Sequence, residues 1–529
     1  MKKSIKYILF ALVAISASSC KKYLDINTNP NQAITATPQL VLPQAITAVA
    51  NQTWAYNFYG AQTVGYLANG GGVSGWGAII SYNYATTDQQ GLWNNTYDIA
   101  TDIQYVIDRT EGQADLAQFN AAAKIMKAYA FQRLVDQYND LPYTDALKGV
   151  ANVTPKYDKA TDIYKSLADL CDAGIATFKA NATASTAFRT ADVMFNGSTA
   201  AAETVRWIQL ANTIKLRLII RAGSKVAFTN RTFDAAGFLT DDAVVNPGYA
   251  RVDGKQNPTW NSFAYTFANA AIGAGVQYVP TPYIATFYNG VKLADPGRAA
   301  VVYRAGIITG TTPTGKLNQL GNQLATAGRG ETPNSWFRGT NATNYESIGI
   351  FKGPDAPQPL FLAADSYFLQ AEGALTGLVT GDAKTLFDNG IRASFRYLYK
   401  NSTNATVAGK TPDADATAYQ TANATNRLAN YTLAVGAAQQ LEAIITQKYI
   451  ALNLLFGDEA WNEYRRTGYP SIVTTPGATA TQTIVSTVTE STAADRLPTR
   501  LLYPNSEFQY NASNVPTVDK YTTKIFWAR

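Results

Sequence analysis

What most constrains this chain is a series of apolar stripes at helical spacing, each about one helix long. Trp207, Ala211, Ile214, Leu218 and Ala222 fall on one face, with Arg206, Lys215 and Arg221 off it and Gly223 placed to end the helix. Ala122, Met126 and Tyr129 form a second stripe, and Leu441, Ile445, Tyr449, Leu452 and Phe456 a third. The same reading predicts helices near 40–67, 91–111, 117–138, 159–180, 203–222, 360–378, 383–399 and 436–456. Links between neighbours are short, which predicts stacked helical hairpins, although no clean repeat of about 34 residues is present. Hydrophobic residues make up 46 % of the chain and charged residues 16 %, enough for a large core. Helical periodicity fades over 227–355, where Gly, Pro, Asn and Thr are frequent. Long loops on a rigid scaffold are where binding residues usually sit. Residues 400–432 and 471–495 are rich in Thr, Ala and Asn and are expected to be exposed insertions.

The chain has only 2 cysteines in 529 residues, and the first closes a secretion signal. Lys2, Lys3 and Lys6 form a positive start, residues 7–15 are apolar, and Ala17, Ser18 and Ser19 are small residues before Cys20. The apolar run is too short for a membrane span. A cysteine at this point resembles a bacterial lipobox, with Ala17 where a leucine is usual. That implies a mature chain beginning at Cys20 and held to a membrane by acyl chains. Cys171 then has no disulfide partner, and its place on a stripe with Ile163, Leu167, Leu170 and Phe178 predicts a buried structural thiol. No histidine is present, which removes Ser-His-Asp and Cys-His catalysis and every metal site that needs imidazole. A carboxylate-only glycosidase remains allowed. Three of the 44 basic residues belong to the signal, leaving 41 against 38 acidic ones, so the charge does not argue for a nucleic-acid partner.

Several segments, in order, resemble one family. Residues 136–147 (DQYNDLPYTDAL) are similar to the "YGDIPYTDAL" signature of SusD/RagB-type nutrient-binding outer membrane lipoproteins. Residues 155–158 (PKYD) with Ile163 and Tyr164 resemble the start of that family's next helix, and residues 207–221 (WIQLANTIKLRLIIR) its tryptophan helix. Residues 368–372 (FLQAE) followed by Gly381, Asp382 and Ala383 resemble a family hairpin. Residues 445–449 (ITQKY) and 459–470 (EAWNEYRRTGYP) are the closest match, and residues 500–504 (RLLYP) with Glu507 and Asn511 resemble the C-terminal motif. Two places depart from the pattern: Asn196-Gly197 replaces a "GD" step, and Asp295-Pro296-Gly297-Arg298 interrupts a "DPR" element.

The resemblance implies a mainly α, tetratricopeptide-like scaffold of helical hairpins with a loop-rich ligand face. The domain plan is a signal over 1–19, a lipidated tether over 20–39 and a single domain over 40–529. Within that domain, scaffold spans 40–226 and 356–470, a binding region 227–355 and a C-terminal segment 471–529. The implied function is non-catalytic capture of glycan fragments at the cell surface and delivery to a TonB-dependent, SusC-like transporter in the outer membrane. The alternatives are a carboxylate-based glycoside hydrolase and, as in the RagB branch, peptide capture. No cofactor and no metal are expected: in the Asp25, Asn27, Asn29 string, Pro30 and Ala36 replace the Gly and Glu that a calcium loop needs.

Other motifs read as mimics. Residues 70–75 satisfy G-x-G-x-x-G but follow a helix rather than a strand. Residues 310–316 (GTTPTGK) imitate a phosphate loop, yet Leu317 stands where Ser or Thr must bind the metal. Glu459 and Glu463 share one helix face, whereas a glycosidase pair must flank a bond; pairing with Arg465 or Arg466 is the preferred reading. Sugar rings stack on Trp and Tyr, so the candidate ligand residues are the loop aromatics Trp76, Tyr82, Tyr84, Trp260, Tyr278, Tyr283, Tyr288 and Trp336. Trp54, Trp93, Trp207 and Trp461 fall in helical patterns and are expected in the core.

Overall fold

The computed structural model describes residues 36–70, 76–270, 272–273, 277–303, 317–323 and 349–529. The signal, the tether with Cys20, the phosphate-loop mimic, Trp336 and most of the glycine run at 70–75 lie outside the described residues. Each predicted helix is present, within a few residues of its expected ends. They are α1 (Pro38–Thr63), α2 (Gln90–Thr110), α3 (Ala117–Tyr138), α4 (Ala160–Ala180) and α5 (Ala200–Ala222), then, after the irregular region, α6 (Ala363–Leu375), α7 (Ala383–Leu398) and α8 (Gly436–Leu452). One more, α9 (Gly457–Thr467), follows α8 almost at once. Neighbours pack in sequence, α1 on α2, α2 on α3, α3 on α4 and α4 on α5, with α6 and α7 forming a further hairpin beside α8. This is the stacked helix-pair architecture that the stripes predict. No helix among the described residues is long and apolar enough to cross a membrane.

Local chemistry sets the ends. Thr199 accepts from the Ala202 amide to open α5, and Gly223 closes it with φ of 58°. Asp382 caps α7 by accepting from the Thr385 amide. The Asp295–Arg298 departure leaves the turn intact, because Asp295 caps a short helix at Pro296–Val302 and its carboxylate pairs with fully buried Arg298. The first and last scaffold helices meet where glycine faces backbone. A side-chain carbon on Gly60 would lie 2.1 Å from the Asp458 amide nitrogen, and one on Gly457 would lie 2.3 Å from that of Ala61. α1 and α9 can cross this closely only because both residues lack a Cβ.

The irregular region holds two small antiparallel ribbons. Strand β1 (Leu67–Asn69) pairs with β2 (Tyr278–Pro280), with Ala68 opposite Val279. Ala243–Val245 pairs with Gln358–Phe361. Both expected insertions are tied into the core. Residues 412–422 form a helix whose Tyr419 is buried, accepts from Gln447 at 2.7 Å and lies beside Arg298. In the second, Thr483, Ile484, Val485 and Ser486 are buried, and Tyr82 is hydrogen-bonded to the Ser486 amide. Sparse apolar residues at the right points anchor a segment whose average composition is polar. Cys171 is fully buried, and burial pushes its thiol up, as expected of a structural thiol.

Candidate functional site

Among the described residues the loop aromatics do not stand out into solvent. Tyr82, Trp260 and Tyr283 are fully buried, and Trp76, Tyr84, Tyr278 and Tyr288 are at most 6 % exposed. Tyr82 is held between the 484–486 segment and Tyr521, whose hydroxyl donates to the Tyr82 carbonyl. Tyr84 packs edge-on against Tyr59. Tyr283 donates to the Ser471 carbonyl and lies under the Lys292 ammonium, 3.9 Å from the ring centre. Tyr288 accepts from Asn453 at 3.0 Å. Burial pushes the hydroxyls of Tyr82, Tyr278 and Tyr288 up, so they remain neutral. The physical reason is size: a loop ring that can reach the scaffold removes more apolar surface from water by lying down than by standing up.

One group of rings does run from the interior to the surface. The β1–β2 ribbon fixes Tyr278, and the glycine run ends at Trp76, which meets Tyr278 edge-on at 4.6 Å. Tyr278 meets Phe58 at 4.7 Å, Phe58 stacks on Trp54 at 4.9 Å, and Trp54 meets Phe263 at 5.2 Å. Trp54 and Phe58 lie one turn apart on α1, and both are only half-buried. Trp54, expected in the core, packs against it but stays partly exposed, while Trp93, Trp207 and Trp461 are buried as expected. Polar groups border the row. Asn51, one turn before Trp54, accepts from the Tyr249 hydroxyl at 3.1 Å, and Gln62 donates to the Tyr278 hydroxyl at 3.4 Å. The Trp76 indole N–H has no hydrogen-bond partner among the described residues. Half-exposed flat rings with amides and hydroxyls at their edge suit a flat-faced, hydroxyl-rich ligand.

Sequence reasoning missed Trp54 and Phe58 because α1 is aromatic on several sides at once. Trp54, Tyr56, Phe58 and Tyr59 fall within six positions, so spacing alone does not separate the wet face from the dry one.

The carboxylate pair is a different structure. Glu459 accepts from Arg217 at 3.1 Å and Arg221 at 2.6 Å. Glu463 accepts from Lys448 at 2.9 Å, Arg221 at 3.3 Å and Arg466. Asp136 and Asp365 join the same cluster through Arg221 and Arg217, and Glu372 joins through Arg466. These side chains are almost wholly excluded from solvent. Burial would raise Glu459, but Arg217, Arg221 and Lys448 outweigh it and hold the carboxyl at about 2. Glu463 is likewise held well below the ordinary range, burial being outweighed by Arg466, Lys448 and Arg221. A glycosidase acid needs a raised carboxyl, so this pair cannot supply a proton near neutrality. Arg466 pairs with Glu463 as expected, whereas Arg465 donates instead to the carbonyls of Thr499 and Asp136. Among the described residues no group of His, Cys, Asp and Glu side chains could hold a metal ion.

The family described as "Starch-binding associating with outer membrane", SusD-like, matches residues 30–504. Solved structures agree across nearly the whole chain. A chitin-binding protein is 22 % identical, with a TM-score of 0.65, over 93 % of this chain and 100 % of that one. A chitin-binding SusD homologue from Flavobacterium johnsoniae is 19 % identical, with a TM-score of 0.63, over 92 % and 98 %. A SusD homologue from Bacteroides fragilis is 20 % identical, with a TM-score of 0.61, over 93 % and 99 %. At these identities the likeness shows the fold. No curated protein matches the chain. The chain belongs to the SusD-like family, whose members are nutrient-binding proteins of the outer membrane rather than catalysts.

Proposed function

We propose that this protein captures glycan fragments at the cell surface, anchored by lipid on Cys20, and passes them to a TonB-dependent, SusC-like transporter. The observation that carries the reading is the row of rings from buried Trp76 and Tyr278 to half-exposed Phe58 and Trp54. The buried rings brace the outer ones, so a sugar stacking on Trp54 meets a surface already ordered, and little entropy is lost on binding. Starch and chitin binding among relatives makes neutral oligosaccharides the first class to test. Of the loop aromatics read from sequence, Trp76 and Tyr278 keep a ligand role as the back of this row, while Tyr82, Tyr84, Trp260, Tyr283 and Tyr288 support the walls.

The test is titration of the mature chain with malto-oligosaccharides, chito-oligosaccharides and short peptides. Glycan binding that weakens in Trp54→Ala supports the reading; binding of peptides alone would replace it with peptide capture. Cys20→Ala is expected to give a folded protein that no longer fractionates with membranes, because two or more acyl chains are what hold such a protein stably. Recovery with membranes at the wild-type level would count against the anchor. Isolation from native membranes is expected to bring down a large outer membrane transporter, and repeated recovery of the lone chain would argue against that partner.

A further inference from the structure

Two acidic side chains at the start of α5 lie in a pocket that gives them a single cation. Asp192 and Glu203 are both fully buried. The Asp192 carboxylate accepts from the Trp207 indole at 2.8 Å and from the backbone amides of Met194 at 2.8 Å and Phe195 at 3.1 Å. One oxygen of Glu203 accepts from Arg189 at 3.1 Å, and Arg189 also donates to the Ser198 carbonyl at 2.8 Å. The other oxygen of Glu203 is buried and meets no donor among the described residues. Glu459, equally buried, has an arginine at each of its oxygens. The Glu203 carboxyl lies instead within hydrogen-bonding reach of Asp192. Two ionised carboxylates can only accept, so this contact needs one proton between them.

The charges on neighbouring elements are already engaged. Arg206, one turn along α5, feels Asp192, but its guanidinium lies over the Phe195 ring and donates to the Asp242 carbonyl at 2.8 Å. Asp241 and Asp242 are held by Lys400 at 3.0 and 2.9 Å. On α4, which packs along α5, Lys179 pairs with Asp234 and Asp172 with Lys215. α1, which packs on the short helix Thr186–Ala191 that carries Arg189, has no charged residue. Burial first, and then the Asp192 charge, push the Glu203 carboxyl up to about 7 against the opposing pull of Arg189. Burial shifts Asp192 upward too, while its hydrogen bond with Glu203 works the other way, so the proton sits on Glu203.

The pair is tied to a loop at the edge of the aromatic row. Asp192 fixes the 192–195 turn through two amides, and the Val193 carbonyl of that turn accepts from the Asn246 amide at 2.9 Å. The Asn246 side chain accepts from the Gly248 and Tyr249 amides at 3.0 Å, and the Tyr249 hydroxyl donates to Asn51 on α1 at 3.1 Å. Asn246, Pro247 and Gly248 are exposed, so this loop leans on hydrogen bonds rather than on burial. We infer that Asp192 and Glu203 share one proton and act as a latch: the protonated pair holds the 246–249 loop beside α1, and loss of that proton releases it. With both groups ionised, two negative charges would share Arg189 in a dry pocket, and the 192–195 turn is the part that can give way. That the loop edges a ligand site rests on the reading of the aromatic row; the latch itself does not.

The test follows the Trp207 indole N–H by NMR, and hydrogen–deuterium exchange of residues 243–250, in the mature chain between about pH 5.5 and 8.5. In the wild type the indole resonance is expected to shift in one step centred near 7, and protection of 243–250, corrected for intrinsic exchange, to drop severalfold across that step. Glu203→Gln keeps the shape and offers Asp192 an N–H at every pH, so it should abolish the step and keep the loop protected. A raised carboxyl contributes stability that is full below the ordinary 4.5 and is lost as pH rises toward about 7, so the wild type should melt progressively earlier than Glu203→Gln over that window. Affinity for malto- or chito-oligosaccharides is expected to fall a few-fold across the step in the wild type and to stay level in Glu203→Gln. Failure of every oligosaccharide to bind would overturn the reading of the row and leave the latch to be decided by the indole and exchange signals. The wild-type titration decides even where Glu203→Gln folds poorly. An indole resonance that does not titrate, a step that survives in Glu203→Gln, or a step that leaves exchange of 243–250 unchanged would overturn the inference.

Discussion

Two regions of this molecule carry the residues that look most chemical, and they differ in what water is allowed to do. In the ionic cluster of α3, α5, α6, α8 and α9, water is excluded and each carboxylate already has its cation. In the aromatic row along α1, the inner rings are dry but Trp54 and Phe58 keep part of their surface wet. The first arrangement consumes its own polarity and holds helices together. The second leaves apolar surface uncovered, and that is what a ligand can still gain by covering. Reactive-looking residue types therefore mark the scaffold here, and chemically bland rings mark the candidate site.

The sharpest way to break this comparison is to open the cluster. Glu459→Ala removes the carboxylate that Arg217 and Arg221 share, leaving them to Asp365, Asp136 and Glu463 in a dry interior, and is expected to cost about 3–5 kcal/mol, read by chemical denaturation. A loss near zero would mean that water reaches the cluster. Trp260→Ala should cost a similar amount, about 3–5 kcal/mol, because the ring is fully buried. If this variant instead kept its stability and lost glycan binding, Trp260 would belong to the ligand face after all.

Trp54→Ala tests the opposite behaviour. It should weaken glycan binding roughly tenfold, equivalent to about 1.4 kcal/mol, while fold stability falls by no more than about 1 kcal/mol. A large drop in Tm with unchanged affinity would move Trp54 into the core.

A separate expectation concerns pH dependence. Glu459 has its carboxyl depressed from the ordinary 4.5 to about 2 by Arg217, Arg221 and Lys448, which outweigh burial. A depressed carboxyl contributes stability that is present above pH 4.5 and is lost as pH falls toward about 2. The stability gap between the wild type and Glu459→Gln should therefore narrow over that window. Asp136 and Asp458 are shifted upward by burial and also by the Glu459 charge, so the gap reports the titration of the cluster that Glu459 belongs to. A gap that stays constant down to pH 2 would show that Glu459 is not held ionised.

The segments that resemble the family are the ones that build the ionic cluster. Asp136 comes from the DQYNDLPYTDAL stretch, Arg217 and Arg221 from the tryptophan helix, Glu372 from FLQAE, and Glu459, Glu463 and Arg466 from EAWNEYRRTGYP. That explains why fold and family were readable while the ligand site was not. The shared residues are those whose long-range partners must be met for the helices to pack, and none of them lies in the aromatic row. The row itself draws on a helix and a nearby loop and on a strand about 200 positions further on, joined by the β1–β2 register of Leu67 with Pro280.

By itself the sequence determined the eight long helices it predicts, their order and their stacking, though not α9 or the helix over 412–422, because a 3.6-residue stripe and its caps are local properties that any compact fold must respect. It also determined that no imidazole chemistry is available, since composition survives folding unchanged. Which rings are wet was decided only in three dimensions. Exposure is a property of what lies opposite a side chain, and the atoms opposite Trp54, Tyr82 and Arg465 come from distant parts of the chain.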